Sequence, residues 1–244
     1  MELRLFVFHH AGGSHLPYRG WPDRFPADWE IRLMDAPGRG RLGDLAALGD
    51  AAALVEYFRR ELDGELVGPF ALFGHSMGGI VAYELTRALL AEGRTPPVWL
   101  GLSARATPLP DGGVRRDLMS DAELRRELVR MGGTPTEILD DPDMWAYFAP
   151  TIRSDLRLVD TWRPALTDAP LPVPLSVYGG AQDAVTPPAR LAGWARQSTR
   201  FLGLRLFEGG HFYFLDDPGP LTERITDDIR TALAPAGPAA ARPR

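Results

Sequence analysis

Short apolar runs recur along the chain, separated by longer stretches in which apolar positions fall every three or four residues. Leu3–Phe8 is the first run, followed by Ile31–Met34, Phe70–Phe73, Val98–Leu102, Leu175–Tyr178 and Leu204–Phe207. Runs of this length predict strands buried on both faces. Between them, Ala46–Leu66, Met77–Glu92, Ala189–Gln197 and Pro220–Ala234 carry helical patterns. Strand alternating with helix predicts an α/β fold, a mostly parallel sheet flanked by helices on both faces. In such sheets ligands bind beyond the carboxyl ends of the strands.

The alternation breaks once. From about Arg115 to Thr167 no strand pattern occurs. Ser120–Leu128 opens with a capping-box pair, Ser120 and Glu123, and Pro135–Leu139, Met144–Phe148 and Ile152–Trp162 follow. Gly132, Gly133, Pro135, Pro142, Pro150 and Pro164 separate these helices. The apolar and aromatic content of the stretch predicts a helical lid or pocket wall inserted between two strands. Residues 1–114 and 166–234 then form the core, 115–165 the lid, and the Ala/Pro-rich residues 235–244 a disordered tail. No internal repeat is present.

Composition narrows the function. At 244 residues the chain has the length of one α/β domain with a sizeable core. A net charge of −5 without a basic stripe argues against nucleic acid. The absence of cysteine removes disulfides, thiolate metal sites and a cysteine nucleophile. All 27 basic residues are arginine, and lysine and asparagine are missing, which reads as the coding bias of a GC-rich genome. The first apolar run is too short for a signal peptide, and none approaches membrane-spanning length. A cytoplasmic protein is expected, with a monomer as the default.

Candidate chemistry centres on Gly74-His75-Ser76-Met77-Gly78, which follows one predicted strand and precedes a predicted helix. A G-x-S-x-G in that context is a nucleophile elbow: the serine sits on a sharp, strained turn, and the flanking glycines leave room for it. A serine needs a base. Of the five histidines, His211 follows the last strand in Glu208-Gly209-Gly210-His211-Phe212, the place expected of the base in the order Ser, acid, His. Asp183, just past the next-to-last strand, is the expected orienting acid. The preceding strand offers no acid before Asp111, and Glu208, Asp216 and Asp217 read as solvated loop charges. The oxyanion donors are expected to be the backbone N–H groups of Met77 and, in the glycine-rich loop after the first strand, Ala11.

Two other patterns compete. His9 and His10 suggest a metal, but adjacent histidines on an extended chain point opposite ways and no ordered carboxylate cluster completes a site, so none is expected. His75 reads as a packing residue. Gly38-Arg39-Gly40-Arg41-Leu42-Gly43 matches the dinucleotide fingerprint letter for letter, yet it follows Asp35-Ala36-Pro37 and not a tight turn after the first strand. It is expected to be a loop beside the active site.

Together, His10-Ala11-Gly12-Gly13-Ser14, Pro37-Gly38-Arg39, Gly74-His75-Ser76-Met77-Gly78-Gly79, Gly132-Gly133-Thr134-Pro135 and Gly209-Gly210-His211-Phe212 resemble the type II, or editing, thioesterases of polyketide and nonribosomal peptide pathways. The resemblance spans about residues 3 to 233 and implies the α/β-hydrolase fold. It implies hydrolysis of acyl groups from the phosphopantetheine arm of an acyl or peptidyl carrier protein, with no cofactor of the enzyme's own. Ser76, Asp183 and His211 match the family's triad, and Ala11 and Met77 its oxyanion donors. The lid would shape an apolar acyl chamber. The chain departs from the pattern at His9, where proline is usual, and at Gly40, where an acidic residue is usual. A chain-releasing acyltransferase or cyclase, or a general carboxylesterase or lipase, would use the same triad. An epoxide hydrolase would need an aspartate at position 76, and a non-catalytic carrier-binding protein would not need the triad. Arg39, Arg41, Arg115 and Arg116 are positioned as carrier contacts or as solvated charges.

Overall fold

Six parallel strands form one sheet in the order β2-β1-β3-β4-β5-β6: β1 (Leu3–Phe8), β2 (Trp29–Met34), β3 (Phe70–His75), β4 (Trp99–Ser103), β5 (Leu171–Gly180) and β6 (Ser198–Phe207). The computed structural model describes residues 2–107, 114–164 and 169–234. The tail at 235–244, Asp111 and the core boundary near 166 lie outside them. Register aligns the strand ends. Phe8 pairs with Gly74, His75 with Ser103, Ser103 with Tyr178, and Gly180 with Phe207. The loops after β1, β3, β4, β5 and β6 therefore leave from one edge.

The period of two along each strand splits the core into two layers. Phe6, Phe8, Leu72, Leu100, Leu102, Leu175 and Val177 pack beneath α1 (Ala51–Glu61) and α2 (Met77–Ala91). Leu5, Val7, Ala71, Phe73, Trp99 and Tyr178 pack with Trp21 and α7 (Gly219–Leu233). Burial on both faces explains why the strands read as nearly continuous apolar runs.

Some elements differ from the sequence pattern for local reasons. Asp50 caps α1 by accepting from the Ala53 N–H at 2.9 Å, so the helix starts at Ala51 and not Ala46. The expected helix 189–197 is a single turn, α6 (Pro188–Leu191), followed by a 3₁₀ segment, Ala192–Arg196. Gly193 sits in that segment because a Cβ there would lie 2.7 Å from Thr107 Oγ1. Strands β5 and β6 extend well beyond their apolar centres.

Between β4 and β5 lie α3 (Asp121–Met131), α4 (Thr136–Asp140) and α5 (Pro142–Thr161). The capping box forms as expected, with Ser120 and Glu123 exchanging hydrogen bonds. The expected break at Pro150 does not occur: α5 runs 20 residues straight through it. Pro150 faces solvent, whereas Trp145, Ala149, Ile152, Leu156 and Val159 lie on the buried side. Packing of that stripe outweighs the one backbone bond that proline removes. Leu124, Leu128, Leu139 and Trp145 join Ile152 and Leu156 in a small apolar cluster of this insertion. Among the described residues no helix is long and apolar enough to cross a membrane.

Candidate active site

Ser76 stands between the end of β3 and the first residue of α2, with φ 54° and ψ −110°. An L residue adopts that backbone only where its surroundings impose it. Here the Ser76 N–H donates to the Ser103 carbonyl at 2.8 Å, and the Ser76 carbonyl accepts from the Gly79 N–H at 3.0 Å. Both flanking glycines are steric necessities. A Cβ at position 74 would lie 1.9 Å from the Gly78 carbonyl oxygen, and one at 78 would lie 2.1 Å from that of Phe8. Gly78→Ala is therefore expected to cost about 3 kcal/mol or more of folding stability. A lowered urea midpoint measures it, and an unchanged midpoint would contradict this packing.

Asp183 and His211 come together from the loops after β5 and β6. His211 Nδ1–H donates to Asp183 Oδ2 at 2.8 Å, and both side chains are buried. Asp183 Oδ1 accepts from the Val185 and Thr186 N–H groups, each at 2.8 Å. Each carboxylate oxygen thus has its own task. His211 Nε2 is buried and has no partner among the described residues. His211, Ser76 and Ala11 line one cavity of about 240 Å³. A hydrogen bond from Ser76 Oγ to Nε2 is not formed in this state, as is common before substrate binds. Glu208, Asp216 and Asp217 are exposed, as expected.

The loop after β1 is held by a residue the sequence did not single out. Asp155 Oδ2 of α5 accepts from the Gly12 N–H at 2.7 Å, and the Arg39 guanidinium grips both carboxylate oxygens, sharing Oδ2 with that N–H. Arg39 is thus a buried structural cation (8% exposed) and not a carrier contact. The Gly13 N–H donates to the His10 carbonyl. Ala11, between these fixed points, borders the cavity. Asp155→Ala would strand the Arg39 charge and is expected to cost about 3–5 kcal/mol. Chemical denaturation of the purified variant gives the value, and a loss below 1 kcal/mol would deny the ion pair this role.

The remaining histidines are engaged. His9 Nδ1 bonds the His10 carbonyl and its Nε2 accepts from the Ala36 N–H; burial, then the nearby Arg39, pushes its imidazole down to about 4. His10 packs edge-on against Phe212, with ring centroids 4.7 Å apart. Burial, with His9 next, lowers His10 to about 3. Among the described residues no group of His, Cys, Asp or Glu could hold a metal. His75 does more than pack. Its ring lies 5.2 Å from that of His211, and its Nδ1 is 2.7 Å from Ser103 Oγ, which in turn is 2.7 Å from the Tyr213 hydroxyl. Burial keeps His75 neutral. The 38–43 segment is a loop with a 3₁₀ turn, Gly40–Leu42, and Gly40 lies where a Cβ would strike the buried Asp35. Of the arginines positioned as carrier contacts, Arg116 is half-buried and ion-paired with Asp160, Arg115 pairs with Asp117, and Arg41 is mostly exposed.

The chain resembles known proteins over nearly its whole length. The family model for the thioesterase domain matches residues 3–233. The gramicidin S biosynthesis protein GrsT of Aneurinibacillus migulanus is 29% identical over 235 residues, covering 96% of this chain and 91% of its own. The RedJ thioesterase of the prodiginine pathway in Streptomyces coelicolor superposes with a TM-score of 0.85 at 28% identity, over 93% of this chain and 85% of its own. The type II thioesterase BorB of the borrelidin cluster gives 0.84 at 29% identity, over 94% of each chain.

Proposed function

The chain belongs to the thioesterase family, and from that premise we propose that it hydrolyses acyl groups from the phosphopantetheine arm of acyl or peptidyl carrier proteins. The observation that carries this reading is the Asp183–His211 pair, with its free Nε2 sharing a cavity with Ser76 on the elbow. The fold is that of the α/β-hydrolases, with which RedJ and BorB share it. The names of these relatives, which refer to gramicidin S, prodiginine and borrelidin biosynthesis and, for BorB, to a type II thioesterase, favour an editing role, the clearing of stalled acyl groups.

His211 Nε2 takes the proton of Ser76 as the hydroxyl attacks the thioester carbonyl. The new oxyanion lies against the N–H groups of Met77 and Ala11, and the positive end of the α2 dipole reinforces them. The tetrahedral intermediate expels the thiol, protonated by His211, and leaves an acyl-Ser76. Water then attacks the ester as His211 accepts its proton, and the second tetrahedral intermediate releases the acid as His211 returns that proton to the Ser76 oxygen. The Asp183 carboxylate holds the imidazole in the working tautomer throughout. Every group in this sequence belongs to the chain, so no cofactor enters. One chain in the cytoplasm, meeting its carrier through exposed cations such as Arg41, is the working unit.

Turnover of acyl groups on a phosphopantetheinyl carrier, set against the same acyl groups on a small thiol and on simple esters, tests the reading. Faster hydrolysis from the carrier supports it; better turnover of plain esters would make the chain a general esterase. Product analysis by mass spectrometry separates hydrolysis from cyclisation or transfer.

A further inference from the structure

The cavity beside Ser76 is not the wholly apolar chamber that the family resemblance implies. Among the described residues Arg105, Arg116, Arg130, Arg163 and Arg190 line it together with two carboxylates, Glu127 and Asp160. Arg116 is neutralised by Asp160, and Arg130 by Glu127. Exposed Arg163 donates to the Asp160 and Trp162 backbone carbonyls and has no carboxylate partner among the described residues. Among the described residues neither Arg105 nor Arg190 has a carboxylate partner.

Arg105 is built into place. It follows Ala104, held at φ 48° with its N–H on the Tyr178 carbonyl. Its own carbonyl accepts from Trp194 Nε1, and its guanidinium lies over the Trp162 ring at 5.0 Å. Its Nε is buried without a partner. Burial, then the Arg116 and Arg190 charges, pushes the guanidinium down to about 10, so it remains a cation at neutral pH. Half-buried Arg105 feels the charge of Asp160, but that carboxylate is already paired with Arg116, so a ligand carboxylate entering the cavity would supply the missing counter-charge.

Position says which part of the substrate that ligand is. A Cβ on Gly79, in the first turn of α2, would touch Arg105 Cβ at 3.0 Å, and β4, from which Arg105 departs, ends on the residue that bonds the Ser76 N–H. The Arg105 Cβ therefore stands within one helical turn of the nucleophile, and its guanidinium, over Trp162, lines the same cavity as Ser76, whereas the phosphate of a pantetheine arm lies at the far end of the arm from the thioester. Building on the hydrolysis proposed above, we infer that this site is specialised for acyl groups that end in a second carboxylate, the half-thioesters of dicarboxylic acids, with Arg105 as the central contact and Arg163 and Arg190 beside it.

The test uses glutaryl and pentanoyl thioesters of N-acetylcysteamine, which match in carbon count and lack the arm's phosphate. The native enzyme is expected to favour the glutaryl ester about tenfold in kcat/KM, the size of one charge-assisted hydrogen bond. Arg105→Met, which keeps the aliphatic length over Trp162, is expected to bring the ratio near one. Free glutarate is expected to inhibit the native enzyme more strongly than pentanoate, a reading that needs no variant. Hydrolysis of the pentanoyl ester with no glutaryl preference would overturn this specificity and leave the thioesterase reading standing. Failure to hydrolyse either thioester would overturn both. If Arg105→Met weakens both acyl groups equally on a phosphopantetheinyl carrier while the small-thiol ratio stays unchanged, the arginine serves the arm's phosphate and the inference fails.

Discussion

Ser76→Ala is expected to fold normally and to lose thioester hydrolysis by about 10⁴-fold or more. The loss follows from the mechanism, because no other hydroxyl stands at the elbow above the Met77 N–H. Preservation of the fold follows from the backbone. The Ser76 side chain makes no capping hydrogen bond, and the strained φ of 54° is held by main-chain bonds to Ser103 and Gly79. Alanine already adopts a positive φ in this chain, at Ala104 with φ 48°. Steady-state rates on one acyl thioester, paired with a thermal melt, separate the two statements. A variant that melts like the native protein yet keeps a tenth of its activity would remove Ser76 from the chemistry.

Asp183→Asn is expected to lower kcat about 10⁴-fold with little change in binding. The two oxygens of Asp183 have unlike partners: Oδ1 takes the Val185 and Thr186 N–H groups, and Oδ2 takes His211 Nδ1. An asparagine keeps the two backbone bonds by turning its oxygen toward them, so its NH₂ faces His211. Nδ1 must then accept, the ring proton moves to Nε2, and the atom that should take the Ser76 proton is already protonated. The stability cost is small because the geometry survives. Rates near native would return the role of orienting acid to Glu208, Asp216 or Asp217, each exposed.

What could be read from the sequence was what short spacing encodes. The elbow needs a nucleophile and two glycines within five residues, and those glycines sit where a single methyl would collide with backbone. The alternation of strands and helices predicted a mostly parallel sheet, and position past a strand end, with the chain order Ser, acid, His, singled out Asp183 and His211. The contacts missed were those made across long separations. Asp155 meets Gly12 from 143 residues away and Arg39 from 116, and nothing in the pattern around it marks it out within its helix. Pro150 read as a boundary because local sequence carries the cost of a proline but not the tertiary packing that overrides it. Arg105 carries no local mark either, because Trp162 and Trp194, which fix it, come from far along the chain.

The path of α5 bears on how this enzyme can be recombined with its relatives. The helix joins two kinds of structure end to end. Trp145 and Ala149 before Pro150, and Ile152 and Leu156 after it, pack in the cluster shared with α3 and α4. The second half also braces the core: Ile152 presses on Gly12, Asp155 ties Gly12 and Arg39, Asp160 holds Arg116, and just past the helix Trp162 bonds Glu84 of α2. A chimera that imports another protein's cover up to residue 149 leaves that bracing native but must match Ile152 and Leu156 across the join. One that imports it through residue 162 also replaces the bracing of the loop that carries Ala11, so breeding new acyl preferences into this scaffold sets the fit of the cover against the anchorage of that loop.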